Sequence, residues 1–376
     1  MLGVFWSVLT LAAGQGVTAD AILIGMEGTT QSFAVDEENL GFRVVIESVN
    51  ASGGVHRRRL VERSYPREPQ GPAEQEFWNA KRLVEEDGVF LLLNFGGPTS
   101  LQIGPYAMEK KIPYLFPHTA LLTKDAERYI FTSFPRYEGE SRVMLRYLSQ
   151  TRGLKRIAVI HDPNVYGRFF LERVRDRAGE LGYDFVGSQS VASSRPEDLT
   201  SQMRELREAA PQAIVMALYP AQAKKVMEAK AKLGWSEVRM VSSGPLTDEQ
   251  YLQAPENHSE GTLGFCHFPD PLEGSEPGLA EYRELMKKYH PSRPLNRYSL
   301  YGYVFGKLVV EGLRRAGRDL TRESLIDALE SIRGWESGEV LPPITFSKTD
   351  HHAQRAGFIC ELKNGRFQAL TGWIEP

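Results

Sequence analysis

The apolar run Val89-Phe90-Leu91-Leu92-Leu93, closed by Asn94-Phe95-Gly96-Gly97-Pro98-Thr99-Ser100, constrains the fold more than any other stretch of the chain. Five consecutive apolar residues bounded by turn formers read as a strand buried on both faces, the situation of a strand inside a helix-covered parallel sheet. The paired glycines allow a sharp turn and a close backbone approach to a ligand, and Pro98 followed by Thr99 and Ser100 suits the first turn of a helix. N–H groups at such a turn face the crevice at the carboxyl ends of the strands, where open parallel sheets bind ligands. A tight βα turn that packs on its neighbours and binds nothing is the competing reading.

Strands and helices alternate on both sides of this run. Ala21 to Gly25 reads as a buried strand, Asp36 to Asn50 as a helix, Arg59 to Glu62 as a strand and 73 to 86 as a helix. Beyond it come a helix from Pro98 to Lys110 and strands at Ile112 to Phe116 and Tyr129 to Ser133. A second series starts at Gly139, with strands at Ile157 to His161, Phe185 to Val191, Ala213 to Ala217 and Met240 to Ser243 separated by helices. Helices at Gly278 to Tyr289, Tyr298 to Arg315 and Thr321 to Ser331 follow one another with no strand between them, so they are expected to cover the first sheet. The chain ends in a hairpin turning at Asn364-Gly365. The predicted class is α/β, with two doubly wound lobes.

With 376 residues, two lobes of ordinary size are expected. A formal net charge of −3 and scattered Lys and Arg provide no basic field for nucleic acid. Leu2 to Ala13 is an apolar segment of signal-peptide length, followed by small residues through Val17-Thr18-Ala19, so residues 1–19 read as an export leader. Export places Cys266 and Cys360 in an oxidising compartment, where a bridge and two buried free thiols both remain open. No nucleophile elbow, phosphate loop, zinc spacing or cysteine cluster is present, and neither catalysis, a metal nor another cofactor is expected.

Over nearly the whole mature chain the sequence resembles the type I periplasmic solute-binding proteins of ABC transporters, in the branched-chain amino acid group. The residues that carry this are Gly25 and its polar loop, Gly41, Asn50-Ala51-Ser52-Gly53-Gly54-Val55, Asn79-Ala80-Lys81-Arg82-Leu83, Lys155 to Asp162 with Tyr166-Gly167, Tyr219-Pro220, and His351-His352 before the final hairpin. The resemblance implies two α/β lobes joined by three crossovers, near Tyr137, Phe268 to Pro271 and Phe346 to His352, with the ligand cleft between them. The lobes would comprise 20–137 with 271–346, and 138–270 with 347–376. It also implies a periplasmic monomer that closes on a small-molecule solute and docks on an ABC permease. A ligand-sensing subunit with the same fold and a two-lobed enzyme such as a glycosyltransferase are the alternatives.

The residues expected at the ligand are Glu27 and Thr29 in the first exit loop, Phe95, Gly97 and Thr99 in the central turn, His118 and Thr119 in the next exit loop, and Tyr137, Tyr219 and Ser243 across the cleft. Glu27 would accept hydrogen bonds, His118 would exchange them near neutral pH, and Phe95, Tyr137 and Tyr219 would form apolar walls with polar tips. Tyr298 and Tyr301 either edge the cleft or pack on the first lobe. The family's serine-rich loop is replaced here by Phe95-Gly96-Gly97-Pro98, and its acidic ammonium partner falls near Ser243-Gly244-Pro245, which carries no carboxylate. A standard α-amino acid is therefore not expected as the ligand; an aromatic, amide-like or lipid-like solute is. N-terminal sequencing of the exported protein is expected to begin near Asp20, and Met1 retained on a cytoplasmic product would contradict the export reading.

Overall fold

The structure is a computed structural model that describes residues 16–28, 32–68, 71–72, 74–192, 198–248 and 258–376. Residues 1–15 of the expected leader, and Thr29, lie outside the described residues. The first sheet has the order β2-β1-β3-β4-β5 and is parallel throughout, built from β1 (Ala21–Met26), β2 (Arg59–Arg63), β3 (Leu91–Leu93), β4 (Tyr114–Leu115) and β5 (Ile130–Phe131). All three residues of β3 are buried, as a central strand covered on both faces must be. One face carries α2 (Gln75–Glu85) and α3 (Ser100–Lys110); the other carries α1 (Phe33–Ala51) and three helices from much later in the chain, α8 (Pro277–Tyr289), α9 (Arg297–Ala316) and α10 (Arg322–Glu330). The uninterrupted helical series thus covers the first sheet, as expected. Helices α1 and α9 approach so closely that a Cβ on Gly41 would stand 2.0 Å from the Ser299 carbonyl oxygen.

The second sheet has the order β12-β11-β10-β9-β8-β6-β7. Its parallel part is β6 (Arg156–His161), β7 (Asp184–Ser190), β8 (Ala213–Ala217), β9 (Arg239–Ser242) and β10 (Leu263–Cys266), and β11 (Phe358–Lys363) and β12 (Arg366–Ala369) extend it as the antiparallel terminal hairpin. Helices α4 (Tyr137–Arg152) and α5 (Val165–Glu180) pack on one face, α6 (Thr200–Glu208) and α7 (Pro220–Lys232) on the other. The chain passes between the sheets three times: from β5 to α4, from β10 to α8, and from α10 to β11. Predicted and observed elements agree in type; β1 and β2 each run one residue further than predicted, whereas β3, β4 and β5 are shorter, and after β3 and β4 the residues Asn94 and Phe116 leave extended geometry (φ 59° and 50°) to enter the exit loops.

Cys266 and Cys360 form a disulfide, resolving the two possibilities left by the sequence. They lie on neighbouring antiparallel strands and both are fully buried, in the core that β10 and β11 share with α6 and α7. The bridge ties the terminal hairpin to β10 across 94 residues of chain and does not line the cleft. Its loss is expected to cost roughly 2–4 kcal/mol of stability. Cys266→Ser is therefore expected to lower the unfolding midpoint in denaturant while leaving solute binding intact; a well-folded Cys266→Ser protein that bound nothing would contradict a purely structural role.

Candidate functional site

The carboxyl ends of both sheets face a single cavity of about 450 Å³, within the range of small-molecule sites. Its floor on the first-sheet side is built from the β3 turn. Asn94 holds a left-handed conformation, which asparagine tolerates better than most residues, and its amide donates to Asn39 Oδ1 at 3.1 Å. Asn39 in turn donates to the Glu27 carbonyl at 2.7 Å, so the exits of β1 and β3 are fastened through α1. Gly96 lies against His118, where a Cβ would stand 2.6 Å from the histidine Cβ, and only glycine fits. A 3₁₀ turn, Gly97–Thr99, then leads into α3 in place of the continuous helix predicted from Pro98.

The N–H groups of this turn are not open to a ligand as predicted. The Gly96 N–H donates to Glu27 Oε2 at 3.1 Å, and the Gly97 N–H donates to the His118 carbonyl at 3.0 Å. The Thr99 hydroxyl is taken up by the Glu76 carboxylate and the Gly96 carbonyl. Glu76 is also paired with Arg67 at 2.6 Å. Burial raises the Glu27 carboxyl well above the ordinary range, and the nearby Glu76 charge adds to this; the Gly96 N–H acts the other way.

Of the residues expected at the ligand, Glu27, Gly97, His118, Thr119, Tyr137 and Tyr219 line the cavity. Three do not. Phe95 is fully buried on the opposite side of the turn, packed with Ile103 and Tyr106, and the Tyr114 hydroxyl holds its carbonyl at 2.6 Å. Thr99 is spent on Glu76, as above. Ser243 is fully buried and bonds the Tyr166 hydroxyl at 2.7 Å, so Tyr166, not Ser243, reaches the cavity. Thr119 accepts the Leu121 N–H at 3.1 Å and keeps its own hydroxyl proton to donate. Tyr219 precedes α7; its backbone N–H is held by Gln222, and its hydroxyl accepts from Asn164, which also caps α5.

The lining also includes residues the sequence did not single out for it: Phe33, Arg67, Glu76, Phe134, Asp248 and His267. Tyr298 and Tyr301 do line the cavity, and Tyr298 donates to the Asp248 carboxylate and, at 3.3 Å, to the Pro245 carbonyl. A bond from α9 thus crosses to the loop after β9. Asp248 corrects the reading that this loop brings no carboxylate to the site: the 3₁₀ turn Gly244–Leu246 brings it back to the wall. Beneath His118 lies Glu38, fully buried, with Oε1 2.6 Å from His118 Nδ1.

The Glu27 carboxyl is expected to titrate higher than an ordinary glutamate, and Glu76→Gln is expected to bring it down by removing the neighbouring charge. Carboxyl carbon NMR of the labelled protein measures both; an unshifted Glu27 would contradict the geometry of this floor.

Residues 21–366 match the family model described as periplasmic binding protein. Among curated relatives, a Leu/Ile/Val-binding protein homolog 7 of Brucella abortus (strain 2308) is 22% identical over 296 residues, covering 74% of this chain and 73% of its own. A branched-chain amino acid ABC transporter protein from Thermus thermophilus with bound valine superposes with a TM-score of 0.83 at 21% identity, covering 96% of this chain and 97% of its own. A fatty acid ABC transporter substrate-binding protein from Thermomonospora curvata gives 0.84 at 21% identity, covering 96% and 94%. These two likenesses are of fold, and they come from proteins with chemically different ligands. The family match spans nearly the whole described chain, and the chain belongs to the periplasmic binding protein family.

Proposed function

We propose that this protein is the periplasmic solute-capturing component of an ABC-type import system, and that its solute is a small to medium organic molecule other than a standard α-amino acid. Its lobes, 20–137 with 271–346 and 138–270 with 347–376, close on the solute and present it to a permease. The observation that carries the ligand class is the occupation of the anion-holding donors at the β3 turn. An α-carboxylate needs N–H and hydroxyl donors, and here the Gly96 N–H and the Thr99 hydroxyl are already bound to Glu27 and Glu76. A solute carboxylate entering there meets two carboxyl groups of the protein and loses its partners, at a cost of several kcal/mol.

Two of the charges around the cavity are paired within the protein, Arg67 with Glu76 and His118 with Glu38. That favours an uncharged polar solute. Burial favours the protonated form of the Glu27 carboxyl, and an amide, which carries a donor and an acceptor, can meet either form of that group. The walls of Phe33, Phe134, Tyr137, Tyr166 and Tyr219 suit an apolar or aromatic body. Asp248 supplies the carboxylate an ammonium would need, so the exclusion of amino acids rests on the carboxylate end. Calorimetric titration with leucine, isoleucine, valine and phenylalanine is expected to show no micromolar binding, and such binding by any of them would sink the ligand class proposed.

A further inference from the structure

We propose that His118 and Glu38 work as a single proton-holding pair whose Nε2–H donates to a carbonyl oxygen of the solute, so that the solute is an amide or similar carbonyl compound and its capture depends on the pair's protonation. This rests on the reading that the cavity is the solute site.

Glu38 is the unusual partner. It sits in α1 where that helix meets α9, fully buried, with Oε1 2.6 Å from His118 Nδ1. A carboxyl group so placed fixes the ring and determines what its second nitrogen offers. The His118 side chain is 23% exposed, it lines the cavity, and among the described residues Nε2 has no hydrogen-bond partner. Phe134 packs edge-on against the ring at 5.2 Å and Tyr298 lies at 6.1 Å, so the imidazole is held between aromatic neighbours with one polar edge turned to the solute space.

The donor character of Nε2 does not depend on where the shared proton sits. With the proton on Nδ1, the pair is imidazolium and carboxylate; with it on Glu38, the pair is neutral imidazole and carboxylic acid. Nε2 carries a hydrogen in both. Only when the pair loses one proton, leaving Nδ1–H on the carboxylate, does Nε2 become an acceptor. Burial works to lower the His118 value, but the Glu38 carboxylate beside it raises it further, and burial raises Glu38 as well. Both directions keep the two-proton state to higher pH. The other titratable groups around the ring are Asp248 from across the cleft, whose charge also favours the proton, Tyr298 and Tyr301 on α9, and Glu27 on the far side of Gly96.

The chemistry of the solute follows from the neighbours. A donor at His118 and the Glu27 carboxyl flank Gly96, whose N–H binds Glu27 and whose missing Cβ lets His118 approach. A carbonyl oxygen satisfies the first, and the N–H and C=O of an amide satisfy the set. A plain hydrocarbon chain or a protonated amine would leave the Nε2–H without an acceptor, which is costly in a partly dry cavity.

The test uses the full chain labelled with ¹⁵N-histidine, His118 being assigned by the signal lost in His118→Gln, and benzamide as the probe. The expected result is an Nε2 that carries a proton at neutral pH, titrates higher in the wild type than in Glu38→Gln, and shifts on saturation with benzamide. Benzamide affinity is expected to fall roughly tenfold as pH rises through that transition. Should Glu38→Gln not fold, the wild-type titration and the benzamide shift remain decisive. An Nε2 without a proton at neutral pH, no shift on saturation, pH-independent affinity, or no binding of benzamide would each overturn the pair's role. None of these would bear on the solute-capture reading, which stands or falls with the solutes that bind elsewhere in the cavity.

Discussion

The hydrogen bond from the Gly96 N–H to the Glu27 carboxyl is the constraint around which the site is arranged. It joins the exits of two neighbouring strands, β1 and β3, at the point where an open parallel sheet presents its backbone donors. By filling one of those donors with a side chain of the protein, it leaves fewer donors there for an anion, which is the basis of the neutral solute proposed. Glu76 does the same at the Thr99 hydroxyl, and Arg67 balances its charge. The remaining polarity of the floor comes from Glu27 itself and from His118, which Glu38 holds from below.

The rest of the molecule keeps this floor in place. Asn94, Asn39 and the Glu27 backbone form a chain of buried hydrogen bonds between β3, α1 and β1, and such bonds specify geometry because leaving any one unmade is expensive. The close contact of α1 with α9 buries Glu38 and brings Tyr298 to the cleft. From there Tyr298 reaches Asp248, a contact between a helix of the first sheet and a loop of the second. The disulfide joins β10 to β11 within the second sheet and does not itself line the cavity.

Most of the fold was legible in the sequence because buried strands and amphipathic helices leave patterns that extend over many residues. The run Val89 to Leu93, the strand–helix alternation and the late helices without strands all read correctly. The site was legible where a residue lies in the short loop leaving a strand, as with Glu27, His118 and Thr119. It was not legible where direction depended on one dihedral: the left-handed turn at Asn94 sends Phe95 into the core instead of the cleft. Glu76 and Arg67 carry no local mark, since one sits on an ordinary surface helix and the other in a proline-bounded loop. Asp248 was hidden by the 3₁₀ turn that brings it back, and the pairing of Cys266 with Cys360 by their separation of 94 positions in sequence.

Native mass spectrometry of the protein purified under non-denaturing conditions, followed by identification of the released solute, tests the central claim most directly. Arg67 and Glu76 are paired, the β3 turn is filled by the protein's own carboxyl groups, and the Glu27 and His118 edges remain. The account predicts an uncharged solute with an amide or comparable carbonyl group on an apolar or aromatic body. A bound leucine, isoleucine, valine or other free α-amino acid, its carboxylate at the β3 turn, would contradict it.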